Sequence, residues 1–239
     1  RLVAEGVDVG DFVLDGGLPT AAAIVTIDGA GDASYQIYGD SISGIGAALS
    51  GPRTDDLVSR TDDVVSRSAA LFFSSNTLVG ESERGVTMSA RDAALSHDRP
   101  VIFDPNLRLG RWRSSAEAAA TVNACVPGAL LVRCNEAEAT LMTGEYDPER
   151  AAVALLKAGA RMVVITLGER GALLRGEIRA DATGVGAAVR STIGAGDSVT
   201  AVLLARLALA GFYPAAAAAA LRDAVIAGAE ACERWGAVD

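Results

Sequence analysis

Four short apolar runs, at Ala69–Phe73, Val101–Phe103, Ala129–Val132 and Met162–Ile165, are separated by stretches with helical character. Strands that alternate with helices are joined by crossovers, and crossovers make neighbouring strands parallel. The pattern therefore predicts an α/β fold on a parallel sheet. The helical stretches carry their own start and stop signals. Ser114-Ser115-Ala116-Glu117 reads as a capping box, Asp147-Pro148-Glu149 places a cap before a first-turn proline, and Gly159 ends the helix that Asp147 begins. Ala172–Leu174 and Ile178–Ala180 predict a hairpin around Gly176. Two apolar helices, Asp197–Ala210 and Ala216–Arg234, follow and are expected to be buried all round. Ahead of the sheet, Ala22–Ile27 and Ser34–Tyr38 predict another hairpin. Residues 39–68 read as loops with short helices around Thr54–Ser66, and Arg1–Glu5 reads as a helix tail closed by Gly6.

The chain has 239 residues, half of them apolar, enough to build one α/β domain over residues 1–239 with a small appendage. A formal charge of −9 leaves no basic stripe for a nucleic acid, although a small polyanion can still be held by backbone N–H groups. Cys125, Cys134 and Cys232 are odd in number and widely spaced, which fits neither a disulfide framework nor a zinc site and points to a cytoplasmic setting. The single histidine, His97, lies in a polar stretch and is expected at the surface, so histidine-based nucleophilic catalysis is poorly supported. No apolar run spans a bilayer, and no membrane partner or signal peptide is expected.

Ligands of a parallel sheet bind at the carboxyl ends of its strands. Three consecutive ends carry hydrogen-bonding groups: Asp104, Asn106 and Arg108 after the second run, Asn135 and Glu138 after the third, Thr166 and Gly168 after the fourth. Gly-Ala-Gly-Asp occurs twice. The copy at Gly29–Asp32 sits between two strand-like runs and reads as a hairpin turn. The copy at Gly194–Asp197 opens a long apolar helix, whose first N–H groups are free and whose dipole is positive toward the loop. Glycines there let an anion approach the backbone, with Asp197 beside it. An anion cradle next to a carboxylate suits phosphoryl transfer, the carboxylate taking the proton of the attacking hydroxyl. A glycine-rich loop with Asp197 as an ordinary helix-start residue is the plain alternative. No P-loop is present, and Gly44–Leu49 and Gly184–Val189 are weak matches to a dinucleotide loop, lacking its third glycine.

Ser191-Thr192-Ile193-Gly194-Ala195-Gly196-Asp197 resembles the C-terminal signature Asp-Thr-x-Gly-Ala-Gly-Asp of the ribokinase-like (PfkB-type) carbohydrate kinases. Three further stretches match that family in order: Phe103–Arg108 with Trp112, Asn135–Glu138 with Leu141 and Gly144, and Thr166-Leu167-Gly168 with Gly171. The resemblance runs from near Gly6 to Gly236-Ala237. It implies a doubly wound, mostly parallel α/β sheet with a small β lid, part of which is residues 18–40. It also implies an ATP- and Mg2+-dependent sugar kinase. Asp197 would be the catalytic base, and Gly194, Ala195 and Gly196 the anion hole. Asn135, Thr166, Gly168 and Gly171 would serve the nucleotide, and Glu138 would act on Mg2+ through water. Asn106 and Arg108 would face the sugar, and a homodimer through the lid is the leaning. Ser191 stands where the family usually has aspartate, which bears on any monovalent-cation site. The family's opening strands, with a Gly-Gly-x-x-Asn sugar-binding stretch, have no counterpart before Arg1, so those residues are expected to be missing from the sequence as given. Pro105-Asn106 with Arg108 and Trp112, and Leu18-Pro19-Thr20, look most like fructokinases and 2-keto-3-deoxygluconate kinases. Fructose is favoured, with ketodeoxygluconate or ribose as alternatives. The competing classes are a non-catalytic sugar- or nucleotide-binding relative and a nicotinamide-dependent oxidoreductase, the latter disfavoured by the missing GxGxxG.

Overall fold

The computed structural model describes residues 2–10, 20, 22–29, 33–38 and 54–236. The readings at Leu18-Pro19, at Ala30–Asp32 of the first Gly-Ala-Gly-Asp copy and at Gly44–Leu49 lie outside the described residues. All four apolar runs become strands: β3 (Leu71–Ser74), β4 (Val101–Asp104), β5 (Leu131–Asn135) and β6 (Met162–Thr166). They pair in parallel and in chain order. β7 (Gly171–Gly176) and β8 (Ala180–Thr183) continue the sheet antiparallel, as the second hairpin required. A separate two-stranded sheet pairs β1 (Ala22–Ile27) with β2 (Ala33–Tyr38), in a register running from Ala22↔Tyr38 to Ile27↔Ala33.

Helices cover both faces of the large sheet. On one side α2 (Glu81–Ser96), α3 (Ser115–Asn123), α4 (Glu136–Thr143) and α5 (Pro148–Lys157) bury Phe103, Val132, Val163 and Ile165 together with Val122 and Leu155. On the other, α6 (Ala195–Leu209) and α7 (Ala215–Cys232) bury Ile102, Leu131, Met162 and Val164 under Leu203, Leu207 and Leu221. Alternate strand residues thus feed opposite cores, which is why the runs are apolar throughout. Each large side chain withdrawn from water stabilises by roughly 1.5–3 kcal/mol. The region expected to hold short helices forms one, α1 (Thr54–Arg67), and the expected helix tail is an exposed 3-10 turn at Leu2–Glu5.

Several local expectations need correction. The Ser114 hydroxyl accepts the Glu117 N–H, but the Glu117 carboxylate takes the Arg113 N–H rather than that of Ser114, so the capping box is half formed. The last two helices are not buried all round. α6 leaves Ala201, Ala205 and Leu209 exposed, Leu209 being 84% accessible, because alanine supplies helix propensity without needing a partner. His97 is exposed in the turn that closes α2, as expected, and its Nε2 is 3.0 Å from Asp62 Oδ1. Asp147 does cap α5, accepting from Glu149 and Arg150, and Gly159 ends it at φ +107°. No helix among the described residues is long and apolar enough to cross a membrane.

Candidate active site

The second Gly-Ala-Gly-Asp copy starts α6, as its context required. Gly194 is the N-cap at φ +81°, a conformation that suits glycine. The loop before it is tied down: Ser191 is fully buried, its hydroxyl accepts the Ile193 N–H, and the N–H groups of Arg190 and Ser191 both donate to the Cys232 carbonyl at the end of α7. The Ala195 N–H turns onto Thr192 O at 3.3 Å, whereas those of Gly196 and Asp197 find no acceptor among the described residues. Two of the helix's orphan donors therefore face outward with its positive dipole end. Asp197, in the same turn, is exposed.

Beside this turn lies a cleft of about 590 Å3. Thr166, Gly168 and Gly171 line it with Ala195 and Gly196, so three of the four residues expected at a nucleotide meet the helix start in one cavity. Asn135 pairs with Thr166 across β5 and β6, and its side chain is committed to capping α4 by accepting the Glu138 N–H. Glu138 completes that box. Its Oε2 accepts from Asn135 N at 2.9 Å and its Oε1 from Leu107 N at 2.7 Å, stapling α4 to the β4 exit. Burial pushes its carboxyl above the ordinary range, against the pull of those two N–H groups. Both oxygens are thus taken up by backbone N–H groups, and no cluster of three or more metal-binding side chains occurs among the described residues.

The β4 exit forms the other flank. Asn106 takes φ +40°, with its N–H on Asp104 Oδ1, an Asx turn that tilts the following residues out of the sheet. Arg108 stacks on the Tyr35 ring of the two-stranded sheet, 4.5 Å from its centroid. A second cavity of about 540 Å3 lies between β2 and the segment that follows β4, lined by Tyr35, Gln36, Tyr38, Arg108 and Arg111 among others. Arg108 therefore reaches a cavity, while Asn106 lines neither.

Sequence reasoning missed the residue at the centre. Arg133 lines the cleft beside the α6 start and is buried between Asp104 and Thr166, which its Nη1 and Nη2 meet at 3.3 and 3.0 Å. Asp104 also accepts from the Thr200 hydroxyl of α6 at 2.8 Å. Burial pushes the Asp104 carboxyl up, opposed by Arg133 and Thr200 and helped by the charge of Asp197. The signal was an arginine inside the apolar run Leu130–Cys134, a place where a cation needs a purpose. Also missed were Val185, Gly186, Ala187 and Val189, dismissed as a poor dinucleotide loop, and Val225, Gly228 and Ala229 of α7, which together give the cleft an apolar wall.

A helix start with two unpaired N–H groups, flanked by one cavity with an apolar wall and another under a small sheet, marks an α/β protein with room for an anionic ligand at the edge of its sheet. The comparisons are specific. The family model "pfkB family carbohydrate kinase" matches residues 1–239, and the chain belongs to that family. It is 26% identical over 211 residues to fructokinase-2 of Solanum habrochaites and 27% identical over 208 residues to fructokinase-1 of Oryza sativa subsp. japonica. These alignments cover 86% and 85% of this chain but 61% of each relative, so the chain spans about three fifths of their length. The crystal structure of fructokinase from Vibrio cholerae O395, with fructose, ADP and calcium ion bound, superposes with a TM-score of 0.80 at 28% identity, over 99% of this chain and 74% of the other. A putative ribokinase II from E. coli shares the fold at 20% identity, with a TM-score of 0.80 over 99% and 72% of the two chains.

Proposed function

We propose that this protein transfers the γ-phosphoryl group of ATP to a sugar hydroxyl, with fructose the first candidate. The observation that carries the proposal is the start of α6, where unpaired N–H groups and Asp197 share one turn beside the cleft holding Thr166 and Gly168. The nucleotide lies in that cleft, its base against Val185–Val189 and α7, its phosphates toward Gly194–Gly196. The sugar lies under the two-stranded sheet, which acts as a lid, with Asn106 and Arg108 on its side. Asp197 takes the proton of the hydroxyl as the oxygen–phosphorus bond forms and the bond to ADP breaks, ADP leaving with the electron pair. The helix N–H groups stabilise the charge on the transferring group. Asn135 and Glu138 would hold Mg2+ through water, and the ion would supply further neutralisation of the phosphates.

Fructose is supported by the fructokinase relatives and by the fructose-bound neighbour. Arg108 keeps a ketodeoxy acid as the second reading, because its guanidinium could meet a carboxylate. The free cysteines among the described residues fit a cytoplasmic setting, and Ile24, more than half exposed on the small sheet, fits a homodimer through it. Ser191, its hydroxyl on the Ile193 N–H, offers no charge to a monovalent cation. Following ADP release from Mg-ATP with fructose, ketodeoxygluconate and ribose tests the reading, fructose being expected to turn over fastest. No turnover with any sugar would sink it. In the same assay Asp197→Asn is expected to lower kcat by about a thousandfold while leaving ATP affinity within a factor of a few.

A further inference from the structure

The face of the sheet under α6 ends in three polar residues, Arg133 beside Asp104 in register and Thr166 two positions farther along β6 than Arg133's own partner Val164. Asp104, Arg133 and Thr166 follow Ile102, Leu131 and Val164 by two positions each, so all three point toward α6. Arg133 reaches farthest. A Cβ placed on Gly196 would lie 2.6, 2.8 and 3.0 Å from its Nη1, Nη2 and Cζ, so the guanidinium lies directly against the bare Cα of the helix start. This packs a cation against the positive end of a helix, an arrangement that is unfavourable without an anion to share. Asp104 supplies one anion. Yet Arg133 is more than nine-tenths buried with its Nε unpartnered among the described residues, and a buried ion pair of this kind rarely adds stability over an apolar pair. Arg133, Thr192 and Gly196 line the same cleft, so the guanidinium lies beside the helix start on the side that a ligand can reach.

Resting on the kinase reading above, we infer that Arg133 is a positioning residue for phosphoryl transfer. It is a buried cation, clamped by Asp104 and Thr166, that fixes the depth of the anion hole through Gly196 and adds positive potential beneath the transferring phosphoryl group. Gly196 is glycine so that the guanidinium can come this close. Asp104 holds the cation in place, and Thr200 ties that carboxylate to α6, so the charge and the helix start move as one unit.

The test compares Arg133→Met, Arg133→Lys and the double variant Arg133→Met/Asp104→Asn, which removes the pair without leaving a buried charge behind. Affinities for adenosine, ADP and a non-hydrolysable ATP analogue are measured by calorimetry, with kcat and KM for fructose. Arg133→Met is expected to lose about a hundredfold in kcat, the scale of one oxyanion donor. Its affinity should fall in order of phosphate number, with adenosine unchanged and KM for fructose little altered. Arg133→Lys should recover part of the loss, and the double variant should fold as well as wild type yet stay slow. A double variant that regains turnover would show that Arg133 only neutralises Asp104 and would overturn the inference, as would equal weakening of all three nucleotide ligands. Unaltered variants in an active wild type defeat this inference alone. A wild type without turnover or affinity for the ATP analogue defeats the kinase reading first.

Discussion

Glu138 shows how one side chain couples the flanks of the site. Its two oxygens collect the N–H groups of Leu107 and Asn135, so the β4 exit and the start of α4 share a carboxylate. Glutamine keeps the shape but has one acceptor oxygen, and one of the two N–H groups must then face an NH2 group. Glu138→Gln is expected to destabilise by about 1–3 kcal/mol near neutral pH, read from urea unfolding. The pH dependence has a defined sign. Because burial raises this carboxyl in the folded state from its ordinary 4.5, the native protein holds a proton that the unfolded chain has released as pH climbs past that value. Stability from this group therefore falls as pH rises from the ordinary value through the raised one. The wild type's advantage over Glu138→Gln should shift across that window and level off above it. A pH-independent difference would mean that the carboxyl titrates alike in both states.

At the scale of elements, the β6–β7 connection holds one glycine that faces open space and one that the packing of the chain requires. Both Gly168 and Gly171 line the cleft, at φ +59° and +100°. A Cβ on Gly168 meets nothing within 4 Å, whereas one on Gly171 would fall 1.9 Å from the Ala182 carbonyl of β8. Gly168→Ala is expected to cost about 1–2 kcal/mol from the left-handed backbone alone. Gly171→Ala should cost about 3 kcal/mol or more, since backbone must move in addition. Urea midpoints rank the two, and Gly168→Ala should be the one that stays folded enough to report nucleotide affinity. Both were singled out in the sequence and both line the cleft, but the close approach of β8 was not legible, because no local pattern tells which glycine will lie under a neighbouring strand. The same distinction holds for the sheet and its charges. The runs from Ala69 to Ile165 and the glycine-marked helix start were readable, since each is a local pattern with one physical meaning. The clamp of Arg133 between Asp104 and Thr166 depends on the registers of three strands, and the open outer face of α6 on which side its neighbours pack, so neither could be read from spacing.

Across the whole molecule, the proposed nucleotide site is where the two halves of the architecture close on each other. The sheet contributes Arg133 and Thr166, the β7–β8 hairpin is followed by Val185–Val189, and α6 and α7 supply the helix start and the opposite wall. Gly228 makes the last contact possible, for a Cβ there would lie 2.9 Å from Val199 of α6. A ligand bridging these elements binds the folded state alone, so it raises stability by mass action, about 2.7 kcal/mol at a hundred times its Kd. For a chain of this size each kcal/mol moves Tm by roughly 2–4 °C, which sets the expected rise with saturating Mg-ADP at about 5–10 °C. Gly196→Ala separates the site from the scaffold. The new methyl displaces the Arg133 guanidinium and fills the floor of the cradle, while the two cores remain as they are. The variant should keep most of its ligand-free Tm and lose most of the shift with Mg-ADP, with adenosine affinity preserved because the apolar wall is untouched. An undiminished ADP shift in Gly196→Ala would place the phosphates somewhere other than the start of α6.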